Sequence, residues 1–175
     1  MHFLDHFNYC PHCGSQHFAV NDFRSKRCAD CGFTLYHNAS ASTAAFILND
    51  KEELLVCRRA LEPAKGTLDL PGGFVDPNET LEECCLREIK EETGCKARIL
   101  RYLFSSHNVY PFSGFNVHTV DAMFLCQIVD GTPKAHDDVA ELSWIPIKDL
   151  HPEDFGLPSI SRSVAKFLTE RTFVI

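Results

Sequence analysis

The sequence predicts an α+β protein in two parts: a small β ribbon over residues 1–37 and a larger domain of strands and helices over residues 38–175. Three observations lead there. Two CxxC pairs, Cys10–Cys13 and Cys28–Cys31, stand in turn-rich sequence near the start. From Ser40 onward, short apolar runs separated by turn formers read as strands. One segment, Thr80 to Gly94, carries both the start and the stop signals of a helix.

Residues 1–37 are rich in Cys, His and Phe and show no long apolar period. The two CxxC pairs are 14 residues apart, and each is followed by a glycine, Gly14 and Gly32. A CxxC-Gly turn folds two thiolates and nearby backbone N–H groups around one ion. Two such knuckles complete a tetrahedral S₄ site, the preference of structural Zn²⁺. A redox CxxC usually occurs once, at a helix start, and these do not fit that pattern. His2, His6, His12, His17 and His37 are alternative ligands, but Cys10, Cys13, Cys28 and Cys31 already fill the shell. A closed shell has no open position, so the expected zinc is structural. It would supply folding energy to a segment with little core.

In the second part, Ala44-Ala45-Phe46-Ile47-Leu48 reads as a buried strand, Asn49-Asp50-Lys51 as a turn, and Leu54-Leu55-Val56-Cys57 as the next strand. Residues 60–78 read as loop, with Pro63, Gly66, Pro71, Gly72, Gly73 and Pro77 as breakers. Thr80 then caps a helix, with Glu83 placed to complete a capping box, and Gly94 stops it. An extended stretch is expected near 97–106 and a turn-rich segment at 110–114. A strand over 117–129, a turn at 130–133, a short strand at 142–145 and a helix over 159–169 complete the expectation.

Composition bounds the function. The chain has 175 residues, 45% of them hydrophobic, which suffices for one core with a small appendage. No run of about 18 apolar residues marks a membrane helix. The start, Met1 to Asp5, lacks the basic and apolar stretches of a signal peptide, so a soluble cytoplasmic protein is expected. A net charge of −7 argues against a general nucleic-acid binder. It leaves small phosphorylated substrates open, because a bound metal can supply positive charge. The nine cysteines are an odd number, and Cys57, Cys84, Cys85, Cys95 and Cys126 show no framework spacing. They are expected to be reduced thiols filling core positions.

The helix carries the chemistry. It spaces Glu88, Glu91 and Glu92 at i, i+3 and i+4, which puts the three carboxylates on one face within about one turn. Like charges so placed repel, and a divalent cation turns the repulsion into attraction. Hard oxygen ligands converging on one spot suit Mg²⁺ or Mn²⁺. The plain alternative for such a triplet is a solvated acidic face.

The stretch from Gly73 to Cys95 resembles the Nudix box, Gly-x5-Glu-x7-Arg-Glu-U-x-Glu-Glu-x-Gly-U, where U is apolar. Gly73, Glu79, Arg87, Glu88, Ile89, Glu91, Glu92 and Gly94 all stand at its positions. Cys95 replaces the usual aliphatic residue at the last one. The resemblance implies a mixed sheet packed between helices, an α/β/α sandwich. It implies Glu88, Glu91, Glu92 and the Gly72 carbonyl as ligands of a catalytic Mg²⁺ or Mn²⁺. Glu79 and Arg87 are similar to the pair that orients the catalytic helix. In that family a further carboxylate often comes from a late loop, and Asp138 and Glu141 are the main candidates, with Asp137 beside them.

A two-knuckle ribbon ahead of this box looks like the NADH pyrophosphatase branch of the Nudix family, over about residues 9–150. Leu100-Arg101-Tyr102 also matches that branch. Its Ser-Gln-Pro-Trp-Pro-Phe-Pro signature is reduced here to Tyr110-Pro111-Phe112, without the Gln and Trp. Tyr110, Phe112 and Phe115 are candidates to stack on a substrate ring. Of Arg58 and Arg59, Arg59 is the favoured phosphate contact.

The expected activity is Mg²⁺-dependent hydrolysis of the diphosphate bond in a nucleoside diphosphate linked to another moiety, such as NADH or ADP-ribose. The alternatives are removal of an NAD-type cap from RNA, with Arg24, Lys26 and Arg27 touching the RNA, a non-catalytic nucleotide sensor, and a ribbon that docks a protein. Relatives with this layout are usually dimers, so a homodimer is expected.

Overall fold

The computed structural model describes residues 3–112, 114–137 and 139–170; Asp138 and the side chain of Phe112 lie outside the described residues. The chain divides into two compact units, Met1–Ala39 and Ser40–Ile175.

In the first unit β1 (Phe18–Asp22), β2 (Ser25–Cys28) and β3 (Thr34–Tyr36) form an antiparallel sheet in the order β1-β2-β3. Its apolar centre is small: Cys10, Phe18 and Cys28, with Phe33 and Leu35 packed against them. Lys26 points inward. Its ammonium donates to the Phe7 carbonyl at 2.6 Å and lies 5.2 Å from the centre of the Phe18 ring. At 6% exposure it is not the surface cation that its sequence neighbourhood suggested, because its stem and charge both find partners inside the ribbon.

The second unit runs β4 (Ser40–Ile47), β5 (Glu53–Arg59), β6 (Leu68–Asp69), α1 (Leu81–Thr93), β7 (Lys96–Phe112), β8 (Phe115–Asp130), β9 (Val139–Pro146) and α2 (Pro158–Glu170). One sheet has the order β4-β8-β7, the other β6-β5-β9. β4 lies parallel to β8, while β7–β8, β5–β6 and β5–β9 are antiparallel, so the architecture is mixed. β4 and β8 read as continuous apolar runs because both of their faces are covered. Ala44, Phe46, Met123 and Leu125 pack with Ile160, Val164 and Phe167 of α2. Ala45, Ile47, Ala122, Phe124 and Cys126 pack with Cys85 and Ile89 of α1. This is the α/β/α sandwich that the sequence implied. Phe46 stacks on Phe167 with ring centres 4.4 Å apart. Each large side chain buried this way contributes roughly 1.5–3 kcal/mol.

The longest departure from expectation is the β7–β8 hairpin. The segment at 110–114 is not a broad turn. Pairing continues from Lys96↔Asp130 out to Phe112↔Phe115. Pro111 sits one pair from the hairpin tip, where a missing N–H interrupts the ladder least. The five cysteines outside the ribbon are all buried and unbridged, as small core residues. Among the described residues, no helix is long and apolar enough to cross a membrane.

Candidate active site and metal centre

Local sequence fixes where α1 begins. The Thr80 hydroxyl accepts from the Glu83 N–H, and the Glu83 carboxylate accepts from the Thr80 N–H, a complete capping box worth about 1 kcal/mol. The Pro71–Val75 segment lies against β4. Ala45 N–H donates to the Pro71 carbonyl at 2.8 Å, Thr43 N–H to Gly73 at 2.9 Å, and Val75 N–H to Ala41 at 3.1 Å. By strand alternation, the N–H and carbonyl of Gly72 face away from β4. The Gly72 N–H donates to Glu92 Oε2 at 3.1 Å. Close approach requires glycine at Gly72, where the obstacle is backbone, while at Gly73 a side chain would displace the Glu88 carboxylate. A Cβ on Gly72 would run into the Thr43 carbonyl, and one on Gly73 would overlap the Glu88 carboxylate.

Arg87 organises the acidic face of α1. Its guanidinium grips Glu79 at 2.7 and 2.9 Å, Glu88 at 2.8 Å and Glu91 at 3.0 Å, and donates to the Phe74 carbonyl at 3.0 Å. The fork of Arg87 holds the Glu79 carboxyl down to about 2, and the same pairing raises Arg87. Glu92 is turned inward, 6% exposed. Burial pushes the Cys84 thiol, beneath Arg87, up to about 11, so it is no nucleophile at neutral pH. Glu88 and Glu91 thus meet on Arg87, and Glu92 meets the Gly72 N–H; among the described residues these carboxylates do not converge as the four ribbon sulfurs do, but hard oxygen donors of this kind suit Mg²⁺ or Mn²⁺.

The late loop reaches the same helix. Lys134 N–H donates to the Thr93 carbonyl and His136 N–H to the Glu92 carbonyl, both at 3.0 Å. This ties the chain just before Asp137 and Asp138 to the last turn of α1. Glu141 lies further on, opposite Arg58 across β5–β9, and pairs with it at 3.3 Å in an exposed position.

Beside the Gly72–Phe74 loop, on the α2 face of the sheet, lies a cleft of about 160 Å³, lined among others by Ala44, Arg59, Asp69, Tyr110, Asn108 and Asp121. Arg59 is in it but not free in it. Its guanidinium is taken up by Asp69 at 2.5 Å, the Pro63 carbonyl at 2.7 Å and the Tyr110 hydroxyl at 3.3 Å. Tyr110 meets Phe74 edge-on, ring centres 6.0 Å apart, which joins the cleft wall to the segment held by Arg87. Sequence reasoning singled out neither Asp121 nor Asn108. Asp121 Oδ1 accepts from the Ser42 and Thr119 hydroxyls, both at 2.5 Å. The signal that could have found Asp121 is an acid directly before the apolar run Ala122 to Cys126.

In the ribbon, Gly14 N–H donates to the Cys10 carbonyl at 2.8 Å and Gly32 N–H to the Cys28 carbonyl at 3.0 Å, and both glycines take φ near +75°. These are the two knuckles. Cys10 and Cys31 Sγ are 3.7 Å apart, Cys13 and Cys28 Sγ 3.6 Å, and all four sulfurs lie within 4.8 Å of one another. Bonds of about 2.3 Å to one tetrahedral centre place sulfurs about 3.8 Å apart, so the spacing fits an S₄ zinc and is far too long for disulfides. The Cys31 backbone N–H lowers the Cys28 thiol, while the thiols of Cys13 and Cys31 in the same cluster are shifted up.

Residues 39–167 match the NUDIX domain family. An ADP-ribose pyrophosphatase from Methanocaldococcus jannaschii is 35% identical over 120 residues, covering 67% of this chain and 68% of that protein. The NAD-capped RNA hydrolase NudC of Chromobacterium violaceum is 30% identical over 157 residues, covering 89% of this chain and 55% of its own. The chain thus spans about half the length of that relative. A crystal structure of a NUDIX hydrolase from Nitrosomonas europaea superposes with a TM-score of 0.76 over 95% of this chain and 93% of that one, at 21% identity, a likeness of fold. Taken with the intact Gly73–Cys95 motif on a capped helix, these matches establish that the chain belongs to the Nudix family of pyrophosphohydrolases.

Proposed function

We propose that this protein hydrolyses the diphosphate bond of a nucleoside diphosphate joined to a second group, an ADP-ribose- or NADH-like substrate, with Mg²⁺ or Mn²⁺. The single observation that carries the reading is Arg87 gathering Glu79, Glu88 and Glu91 beside the inward-turned Glu92. The name of the M. jannaschii relative points the same way. Glu88, Glu91, Glu92 and the Gly72 carbonyl would hold the metal, which when bound neutralises diphosphate charge and acidifies water. Arg87 keeps the carboxylates on one side and fixes the loop through the Phe74 carbonyl. Burial between α1 and the Gly72 N–H limits Glu92 to one orientation. A carboxylate of this set or of the late loop, Asp138 or Glu141, takes the proton of the attacking water. Cys10, Cys13, Cys28 and Cys31 hold a structural zinc. The cytoplasm and a homodimer remain part of the reading.

The test is a panel of diphosphate compounds assayed with Mg²⁺ and Mn²⁺ against Glu91→Gln, Glu92→Gln and Glu82→Gln. The first two keep size and helix propensity but remove a ligand charge. Each should lower turnover by at least about 10²-fold, above the 10–100-fold typical of groups supporting a metal ligand. Glu82, exposed in the first turn, should cost little. Equal losses in all three would show a general effect on the helix and defeat the ligand assignment. Tight binding with no turnover on any compound would favour the sensor.

A second reading, removal of an NAD-type cap from RNA, has one observation in its favour. The ribbon exposes Phe23 and Tyr36 with the Arg24 guanidinium 5.8 and 5.6 Å from their ring centres. Aromatic rings with a cation suit unstacked bases. Under this reading, Phe23→Ala with Arg24→Ala lowers activity on NAD-capped RNA and leaves free NAD untouched.

A further inference from the structure

We infer that the cleft between the Gly72–Phe74 loop and the start of α2 reads the exocyclic amine of an adenine ring, with Asp121 and Asn108 as the specificity-determining residues. The inference rests on the proposed hydrolysis and names the nucleoside that the same site selects.

Strand register builds the group. Ser42 pairs with Asp121 across β4–β8, and Asn108 pairs with Thr119 across β7–β8. Thr119 and Asp121 are two apart on one strand, so Ser42, Asn108, Thr119 and Asp121 share one face. All four line the cleft, and all are 9% exposed or less. Two hydroxyls donate to the same oxygen of Asp121, Oδ1. Among the described residues, Oδ2 and the Asn108 carboxamide carry no hydrogen bond. The Ser159 hydroxyl, fully buried in the same lining, also has no partner there. Buried polar groups are expected to be paired, so the unpartnered Ser159 hydroxyl in the same lining as Asp121 and Asn108 marks a place for a ligand's polar edge.

Charge selects the ligand. Asp69 is neutralised by Arg59, whereas no cation pairs with Asp121 among the described residues. A phosphate placed there would be repelled. A group that donates N–H is drawn in. Around these polar groups, Ala44, Leu70, Tyr110, Phe74, Leu157 and Ile160 supply apolar and aromatic wall. They suit a flat ring rather than a hydroxyl-covered sugar. A volume of about 160 Å³ is below the roughly 300–1,000 Å³ of a pocket for a whole drug-sized ligand, so the cleft takes one ring system of the substrate. A carboxamide matches the N6 and N7 edge of adenine, and a carboxylate accepts from an exocyclic amine. With one N6 hydrogen on Asn108 and the other on Asp121, both are used.

The experiment compares ADP-ribose with its hypoxanthine counterpart, in which oxygen replaces the amine. The wild type should prefer the adenine compound by roughly 10- to 100-fold in kcat/KM. Asp121→Asn still accepts from Ser42 and Thr119 but offers an N–H to the cleft. It should erase or reverse the preference through KM, with kcat on the better substrate little changed. Asn108→Ala should shrink the preference independently and guards against a folding defect in the first variant. Equal efficiency on both compounds in the wild type, or an equal loss on both in the variants, overturns the inference while the hydrolysis stands. If no diphosphate is cleaved, the proposed function fails. Binding of AMP against IMP to the wild type, measured by calorimetry without metal, then decides the subsite: a preference for AMP supports it and equal affinity overturns it.

Discussion

The two proposed metal sites differ in how their candidate ligands are held. In the ribbon, backbone knuckles bring four sulfurs to within 4.8 Å of one another, near the separations that a tetrahedral ion imposes. On α1, the oxygens are kept on one face by helical spacing and by a cation of the protein itself, with Arg87 in contact with Glu88 and Glu91. The first arrangement has little to hold it apart from the ion. The second is held by a capped helix buried against a large core. A structural site can therefore be read as preorganised and dependent on its metal, and a catalytic one as folded first and charged later.

The largest expected effect falls on the ribbon. Purified protein should contain about one zinc per chain that survives mild EDTA, while the same treatment abolishes diphosphate hydrolysis until Mg²⁺ is restored. Cys28→Ser should lose the zinc and yield aggregating protein, by elemental analysis and light scattering. Iron, or no metal, would remove the contrast.

A smaller effect is expected from Arg87→Lys. The charge remains, but the planar fork on Glu79 and the reach to the Phe74 carbonyl are lost. Activity or the apparent affinity for Mg²⁺ should fall about 10- to 100-fold, the scale for partners that orient a metal ligand. The zinc content should stay constant. An unchanged Mg²⁺ titration would mean that the carboxylates are oriented by the helix alone.

The smallest concerns acid. Arg87 lowers the Glu79 carboxyl from an ordinary 4.5 to about 2. A depressed folded value means that stability from this pair is fully present above about 4.5. It drains away as pH falls towards 2. Thermal midpoints of the wild type and Glu79→Gln, measured in metal-free buffer, should differ at pH 6 and converge between those values. A constant gap down to pH 2 would place the contribution of Glu79 in packing rather than charge.

What the sequence made legible follows the same division. The box residues and the knuckles are close in sequence: helical spacing puts Glu88, Glu91 and Glu92 on one face, and the resemblance to the Nudix box implies their roles and those of Gly72, Glu79 and Arg87. The cleft is different. Ser42 and Asp121 are 79 residues apart and meet only through the parallel register of β4 and β8. No local pattern encodes that meeting. The hairpin was shortened in expectation because Pro111 and Gly114 signal a turn, whereas the long β7–β8 ladder extends pairing to the very tip. Lys26 looked like a surface charge because a short ribbon gives no apolar period to show which way a side chain points. Arg59 was placed at the site, but its tie to Asp69 could not be seen before β6 was known to pair with β5.

The way Pro71–Val75 is laced onto β4 limits how this protein can evolve. Successive peptide groups there alternate between serving the sheet and serving the helix, so the segment has a parity. Inserting or deleting one residue would exchange the two roles, turning the Gly72 carbonyl toward Thr43 and withdrawing the N–H that Glu92 needs. The stretch from Leu61 to Gly66, upstream, has no such alternation; it is tied instead through the Pro63 and Gly66 carbonyls, which hold Arg59 and Arg58. Lineages descending from this chain should therefore explore new substrates by remodelling the hairpin tip, while the five residues from Pro71 to Val75 keep their length.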